Sequence, residues 1–131
     1  MIAKVSAVLF SCIAVYLVFF HMALVFGMPW GALTMGGFVE GSLPLPMRAL
    51  SLLQAFIAVF MACSVLKRGE VVAFRWPAWS YWLVIVICTL SVVGNAATSS
   101  EVERQLGLPV TIALLVMALL AGSPKVLRRS A

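Results

Sequence analysis

The sequence predicts an all-α integral membrane protein, folded as an up-down four-helix bundle in a single transmembrane domain. Of the 131 residues, 64% are hydrophobic and only 10% are charged, and the mean hydropathy is +1.15. A water-soluble domain carries roughly a quarter charged residues, so this chain has too few to cover a surface in water. Four apolar runs, each close to the roughly twenty residues that cross a hydrocarbon core, give expected spans at 2–26, 47–66, 77–98 and 105–122.

The first run is interpreted as a spanning helix and not as a cleaved signal peptide. Its apolar stretch is long, and no small-x-small cleavage site precedes His21. Ala7, Ser11, Ala14 and His21 recur at helical spacing and therefore share one face. Since small side chains let membrane helices approach closely, we expect this face to point into the bundle, with His21 near its outer end.

The segment between the first two spans, 27–47, is predicted to be the largest loop. It contains many Gly and Pro residues, which interrupt helices, yet it also contains the apolar Trp30, Leu33 and Phe38. A freely solvated linker would be more polar. We therefore expect a compact loop that folds over the mouth of the bundle or dips into it, because irregular backbone at membrane depth must be buried in protein or line a wet cavity.

The third span carries the most polar intramembrane face of the chain. Its members recur at helical spacing and are Cys88, Ser91, Asn95 and Thr98. A face of this kind either forms hydrogen bonds between helices, worth about 1 kcal/mol each, or lines a site.

The start of the fourth helix has a recognisable signal. Ser100 and Glu103 have the spacing of a capping box, which predicts that the helix begins near Glu101. Gly107 and Pro109 follow within it. Because proline removes a main-chain donor from a helix, we expect a break or kink there before the spanning part begins.

The nine Lys and Arg residues are divided unevenly among the connections. Cytoplasmic loops of membrane proteins carry the excess of cations. Both termini and the 67–76 connection are therefore expected in the cytoplasm, and the 27–47 and 99–108 loops outside, for a multi-pass protein of the bacterial inner membrane. The inner set is Lys4, Lys67, Arg68, Arg75, Lys125, Arg128 and Arg129, and the outer set is Arg48 and Arg104. These residues are interpreted as orientation signals and contacts to membrane lipids, and a nucleic-acid partner is not expected.

This orientation brings most of the polar residues to the outer mouth of the bundle. We expect an outward-facing polar pocket there, which binds a small amphipathic or lipid-like molecule or a partner helix. The residues expected to line it are His21, Trp30, Arg48, Asn95, Thr98 and Arg104. No cofactor or metal is expected, because the chain has a single His and its three Cys residues lie inside apolar helices.

Several of these residues have structural interpretations as well. His21 can act as a general base or as a metal ligand. Its neutral ring can instead donate a hydrogen bond to a loop carbonyl or to Asn95. Arg48 can clamp an anionic group of a ligand, reach lipid headgroups, or pair with Glu40 or Glu101. Asn95 can orient His21, bind the ligand, or form a hydrogen bond between helices.

Two other classes of function stay open. A membrane enzyme acting on a lipophilic substrate would use His21 as base and Glu101 or Glu40 as acid. Glu103 could join Glu101 in this acid–base chemistry, although helix capping explains both carboxylates as well. The lack of paired carboxylates inside the spans favours a non-enzymatic protein. A structural or accessory subunit, or a homo-oligomer, would instead expose a face of small residues for another chain to cover, such as that of Ala55, Ala58 and Ala62 in the second span.

The first loop and its surroundings also form a longer pattern. It reads HxxxxxGxPWGxxxxGG from His21 to Gly37 and extends to Arg48, Asn95 and Glu103. On this pattern the chain resembles a family of small bacterial four-helix membrane proteins of uncharacterised activity. The resemblance covers most of the chain and implies the fold and the outer position of the shared residues, but no activity, substrate or cofactor. The single His and the lack of intramembrane carboxylates differ from sterol-isomerase-like four- and five-helix proteins.

Overall fold

The computed structural model describes the backbone of residues 1–129 and the side chains of residues 1–123. Within these residues the chain is all-helical, and four of its helices are long and apolar enough to cross a membrane. They are α1 (Ile2–Val25), α2 (Leu45–Arg68), α3 (Ser80–Ala97) and α4 (Glu101–Arg129). Two short 3₁₀ turns, Gly31–Leu33 and Met35–Gly37, lie in the first connection.

The ends of α2 and α4 carry the signals expected of them. Pro46 lies in the first turn of α2, where its missing N–H has no helical partner in any case. Lys67 and Arg68 occupy the last turn, where cations complement the helix dipole. At the start of α4 the Ser100 hydroxyl accepts a hydrogen bond from the Glu103 N–H (3.2 Å), which confirms the predicted cap.

Of the break or kink predicted in the last helix, the break is wrong. α4 begins before the expected span and continues beyond it to the end of the described backbone, passing Gly107 and Pro109 without interruption. Proline removes one N–H from the helix, and the carbonyl that loses its donor is that of the residue four positions earlier. That residue is Gln105, which is exposed and lies near the start of α4.

The helices do not pack equally against one another. α1 packs along both α2 and α4, and α4 packs along α3, whereas α2 and α3 have few contacts with each other. The core is built partly from small side chains, and Ala7 and Ala14 of α1 are 0% and 2% exposed. This agrees with the inward face predicted for the first span. The sparse contact between α2 and α3 leaves space between them.

Most of the small-residue face of α2 is also buried within the chain. Ala55 and Ala58 are 4% and 5% exposed, and Ala62 is half-buried. The sequence had offered this face as one that a second subunit could cover. Because the chain itself covers Ala55 and Ala58, these two residues are not available to another subunit.

The four antiparallel helices give the bundle two ends. The loop end carries residues 26–44 and 98–100, and the opposite end carries Met1 and residues 69–79. Basic residues with described side chains are Arg48 and Arg104 at the loop end and Lys4, Lys67, Arg68 and Arg75 at the opposite end. Lys125, Arg128 and Arg129 lie outside the described side chains.

The opposite end of the bundle is closed by aromatic packing. The Trp76 indole N–H donates to the Ser64 hydroxyl of α2 (2.9 Å), and the Trp76 and Phe60 rings lie 5.8 Å apart. Nearby, the Tyr81 hydroxyl of α3 donates to the Ala118 carbonyl of α4 (3.1 Å). These contacts link the 69–79 connection to α2, and α3 to α4, at this end of the bundle.

Large apolar side chains cover the outward faces of the helices. Phe19, Phe56 and Leu90 are 70%, 64% and 64% exposed, and they belong to three different helices. Monomeric soluble proteins rarely expose apolar surface of this extent. The outer surface therefore suits contact with hydrocarbon and not with water.

Candidate functional site

A cavity of about 870 Å³ lies among the four helices at the loop end. Small-molecule sites typically measure about 300–1,000 Å³, so this loop-end cavity can hold an organic molecule. All four helices and the first loop contribute to its walls, which are largely apolar, with Phe20, Ile57 and Ile87 among them. The polar side chains that line it include His21, Thr34, Gln54, Ser91, Asn95, Thr98, Glu103 and Thr111.

Two lining residues hold buried polar atoms that lack partners. Among the described side chains, four buried N or O atoms have no hydrogen-bond partner, and His21 Nδ1 and Gln54 Oε1 are two of them. The Phe20 ring lies edge-on to the imidazole, with the ring centres 5.4 Å apart. A buried polar atom without a partner costs about 1–3 kcal/mol. Solvent reaches neither atom, so both lie behind the surface of the cavity that their side chains help to line.

Among residues 1–123, whose side chains are described, Glu103 is the one charged residue in the lining of the loop-end cavity. Its Oε2 accepts hydrogen bonds from the Gly36 N–H (2.8 Å) and from the Thr98 hydroxyl (2.7 Å). In a standard capping box this carboxylate would fold back onto the Ser100 N–H. Here the Thr98 hydroxyl takes that N–H at 3.3 Å. The Glu103 side chain is thereby free to join the first loop to the start of α4.

The first loop folds over the mouth of the cavity, as the sequence predicted. Its Gly31 N–H donates to the Gly41 carbonyl (2.9 Å). A Cβ at Gly31 would lie 2.5 Å from the Val39 carbonyl oxygen, so only glycine fits this crossing. Three successive residues, Met35 to Gly37, have positive φ, a conformation that is costly for a side chain such as methionine. The bond from Glu103 to Gly36 holds this segment in place.

Three of the six predicted binding residues line the cavity, namely His21, Asn95 and Thr98. Asn95 does not orient His21, because its Nδ2 donates to the Ser91 carbonyl of its own helix (2.8 Å). Its Oδ1 lies against Gly107 of α4, where a Cβ would collide with it. Glycine at that position therefore sets how closely α3 and α4 approach.

The other three predicted binding residues lie outside the lining. Trp30 stacks on Phe20, with parallel rings 6.1 Å apart, and so supports the cavity wall from behind. Arg48 donates through Nε to the Leu43 carbonyl (2.7 Å). Arg104 pairs with Glu101. Both cations were expected at the mouth because they share its end of the bundle, but their guanidinium groups point to the loop and the surface.

Two of the carboxylates proposed for an enzymatic reaction do not line the cavity either. Glu40 and Glu101 are exposed, and Glu101 is bound by Arg104 and by the Gln105 amide (2.9 Å). The acid–base pairing of either with His21 therefore has no support in the cavity. Sequence reasoning assigned Glu103 mainly to the helix cap and gave no role to Gln54. A lone polar residue inside an apolar span was the signal for Gln54.

The described part of the chain holds no group of three or more His, Cys, Asp or Glu side chains able to bind a metal ion. Cys12, Cys63 and Cys88 are free thiols, and none of them lines the loop-end cavity. What the cavity offers is an apolar volume with hydrogen-bonding groups from several elements. This is the arrangement that binds a molecule with one polar and one apolar part.

No protein-family model, curated protein or solved structure matches the chain. The function proposed next therefore rests on the geometry and chemistry of the loop-end cavity.

Proposed function

We propose that this chain is a multi-pass protein of the bacterial inner membrane that binds a small amphipathic or lipid-like molecule in the loop-end cavity. Its four long apolar helices and its exposed apolar faces support the membrane location. The excess of basic residues at the opposite end supports cytoplasmic termini, so that the cavity opens outward.

One observation carries the proposal: a largely apolar cavity of about 870 Å³ also presents polar side chains from all four helices and the first loop. Small-molecule sites combine apolar walls with a few polar groups that fix the orientation of the ligand. A bound molecule with a polar head can form hydrogen bonds with these side chains. Its apolar part then occupies the space between α2 and α3, where these helices have few contacts.

The test uses photoreactive hexadecanol with a diazirine in the middle of its chain. The protein is labelled in mild detergent, and the labelled residues are located by mass spectrometry. Labelling of Ile57 and Ile87, which line the cavity, is compared with labelling of the outward-facing Phe56 and Leu90. The ratio between the two sets cancels the partitioning of the probe into the detergent.

A pair of variants on α3 separates cavity binding from adsorption on the outer surface. Gly94 lines the cavity, and an added Cβ meets nothing within 4 Å there, so Gly94→Phe fills the volume without a clash at its base. Ala96, two residues along, is exposed and outside the lining, and Ala96→Phe is the matched control. We expect Gly94→Phe to abolish cavity labelling and Ala96→Phe to leave it unchanged. Equal labelling of both residue sets in the wild-type protein contradicts the proposal.

A further inference from the structure

The loop-end cavity has an uneven charge. Glu103 lines it, whereas no Lys or Arg with a described side chain does. Both basic residues at the loop end bind groups outside the cavity. Arg48 donates to the Leu43 carbonyl, and Arg104 pairs with Glu101. A ligand inside the cavity therefore meets one carboxylate and no cation.

We infer that the loop-end cavity selects an amphiphile with a cationic, hydrogen-bond-donating head, an alkylammonium, which binds at Glu103 while its hydrocarbon chain lies between α2 and α3. This inference rests on the proposed function and narrows it to one class of ligand. It follows from which atoms in the cavity are still free.

The free polar atom at the one charged side chain is an acceptor. Oε2 of Glu103 is used by the first loop and Thr98, but its Oε1 has no hydrogen bond from any described residue. An ammonium group has three donors and no acceptor, so it complements this carboxylate oxygen.

The same cavity lining disfavours an anionic head group. A carboxylate or phosphate in the cavity would lie near Glu103 without a basic side chain in the lining to offset it, and like charges in a poorly solvated site repel strongly. A neutral alcohol is tolerated but gains no charge-assisted bond. We therefore expect the affinity of the cavity to be highest for the amine, lower for the alcohol and lowest for the acid.

The binding of a cation does not require the loop to be released. Gly36 and Thr98 both donate to Oε2 of Glu103, which leaves Oε1 for the ligand. One carboxylate then holds the loop and the ligand together. Replacing Glu103 is expected to affect both, so the test compares head groups within the wild-type protein as well as variants.

The experiment compares three diazirine probes with the same hexadecyl chain and different heads: an amine, an alcohol and an acid. For each probe the readout is the labelling of Ile57 and Ile87 relative to Phe56 and Leu90 at neutral pH. Hydrogen bonds to charged groups contribute about 1.5–3 kcal/mol, so we expect the amine ratio to exceed the acid ratio by at least about tenfold. Glu103→Gln should lower the amine ratio to that of the alcohol.

The matched control is Glu101→Gln. It removes an exposed carboxylate that lies two residues before Glu103 and outside the cavity lining. It should keep the preference for the amine. Equal ratios for the three probes, or a higher ratio for the acid, overturn the inference. If the three probes give equal ratios in the wild-type protein and those ratios fall in Gly94→Phe, the proposed binding function stands but the preference for a cationic head does not. If no probe labels the cavity above the outer surface, both fail.

Two sources can supply an ammonium head, a free alkylamine or an aminophospholipid. Competition in nanodiscs distinguishes them once the preference for the amine is established. Displacement of the amine probe by phosphatidylethanolamine, and not by phosphatidylglycerol, assigns the head to a lipid. Displacement only by added dodecylamine assigns it to a free amphiphile.

Discussion

The bond between Glu103 and the Gly36 N–H joins the first loop to the start of α4, and its removal gives the sharpest prediction about this fold. Glu103→Ala deletes the acceptor of the Gly36 N–H (2.8 Å) and the partner of the Thr98 hydroxyl (2.7 Å). The segment around Gly36 has three successive residues with positive φ. Without the carboxylate, the segment keeps its internal bond from the Gly37 N–H to the Thr34 carbonyl (3.0 Å) but loses its bond to α4, while the positive φ at Met35 still costs of order 1 kcal/mol.

The magnitude follows from the kind of bond that is lost. A hydrogen bond to a charged group is worth about 1.5–3 kcal/mol, and each 1.4 kcal/mol corresponds to a factor of ten in the opening equilibrium. The Gly36 amide should therefore exchange its hydrogen roughly 10- to 150-fold faster in Glu103→Ala. Glu103→Gln keeps an acceptor but loses its charge, and it should speed exchange by only about fivefold.

The assay is amide hydrogen exchange followed by NMR in detergent micelles, read at Gly36 and at amides within α1 as an internal reference. Glu101→Ala is the matched control. Its carboxylate is exposed and bonded within the same helix, and surface pairs of this kind contribute little, so exchange at Gly36 should change by less than about twofold. Unchanged exchange at Gly36 in Glu103→Ala would refute the proposed role of this carboxylate.

Three further predictions concern stability, measured as the free energy of unfolding in mixed micelles. Gly94→Ala should stabilise the protein by about 0.5–1 kcal/mol, because its new Cβ meets open space and glycine is a poor helix former. Gly107→Ala should destabilise it by about 1 kcal/mol, because the Cβ displaces Asn95 from its bond to Ser91; in a double-mutant cycle, Asn95→Ala should remove most of that cost. Tyr81→Phe should cost about 0.5–1.5 kcal/mol, since the buried Ala118 carbonyl on α4 loses the hydroxyl that donates to it. A stabilising Gly107→Ala, or a neutral Tyr81→Phe, would contradict the respective packing.

The candidate site shows where reasoning from sequence succeeds and where it stops. His21, Asn95 and Thr98 were placed together from helical spacing and topology, and all three line the cavity. Arg48 and Arg104 were placed at the same mouth by the same argument, but each is bound elsewhere. Spacing gives the end of the bundle at which a residue lies. It does not give the direction of a long side chain, which is decided by the nearest unpaired carbonyl or carboxylate.

Glu103 shows the same limit from the other side. Its position in a capping box was readable, and Ser100 does cap its N–H. The carboxylate nevertheless reaches a loop amide far away in sequence, because Thr98 takes the N–H that the carboxylate would otherwise bind. The local pattern therefore predicted the hydrogen bond of the Glu103 main chain correctly, but it did not predict where the Glu103 side chain binds.

The sequence by itself determined the class of fold, the number of long helices and the compact first loop, because composition, apolar run length and Gly and Pro content act locally. Only the tertiary structure decided that α4 continues past Pro109, that Glu103 faces the cavity, and that α2 and α3 stay apart at the loop end. Those features depend on how helices distant in sequence approach one another. That approach is set by side-chain contacts such as Gly107 with Asn95, which no periodicity along a single helix records.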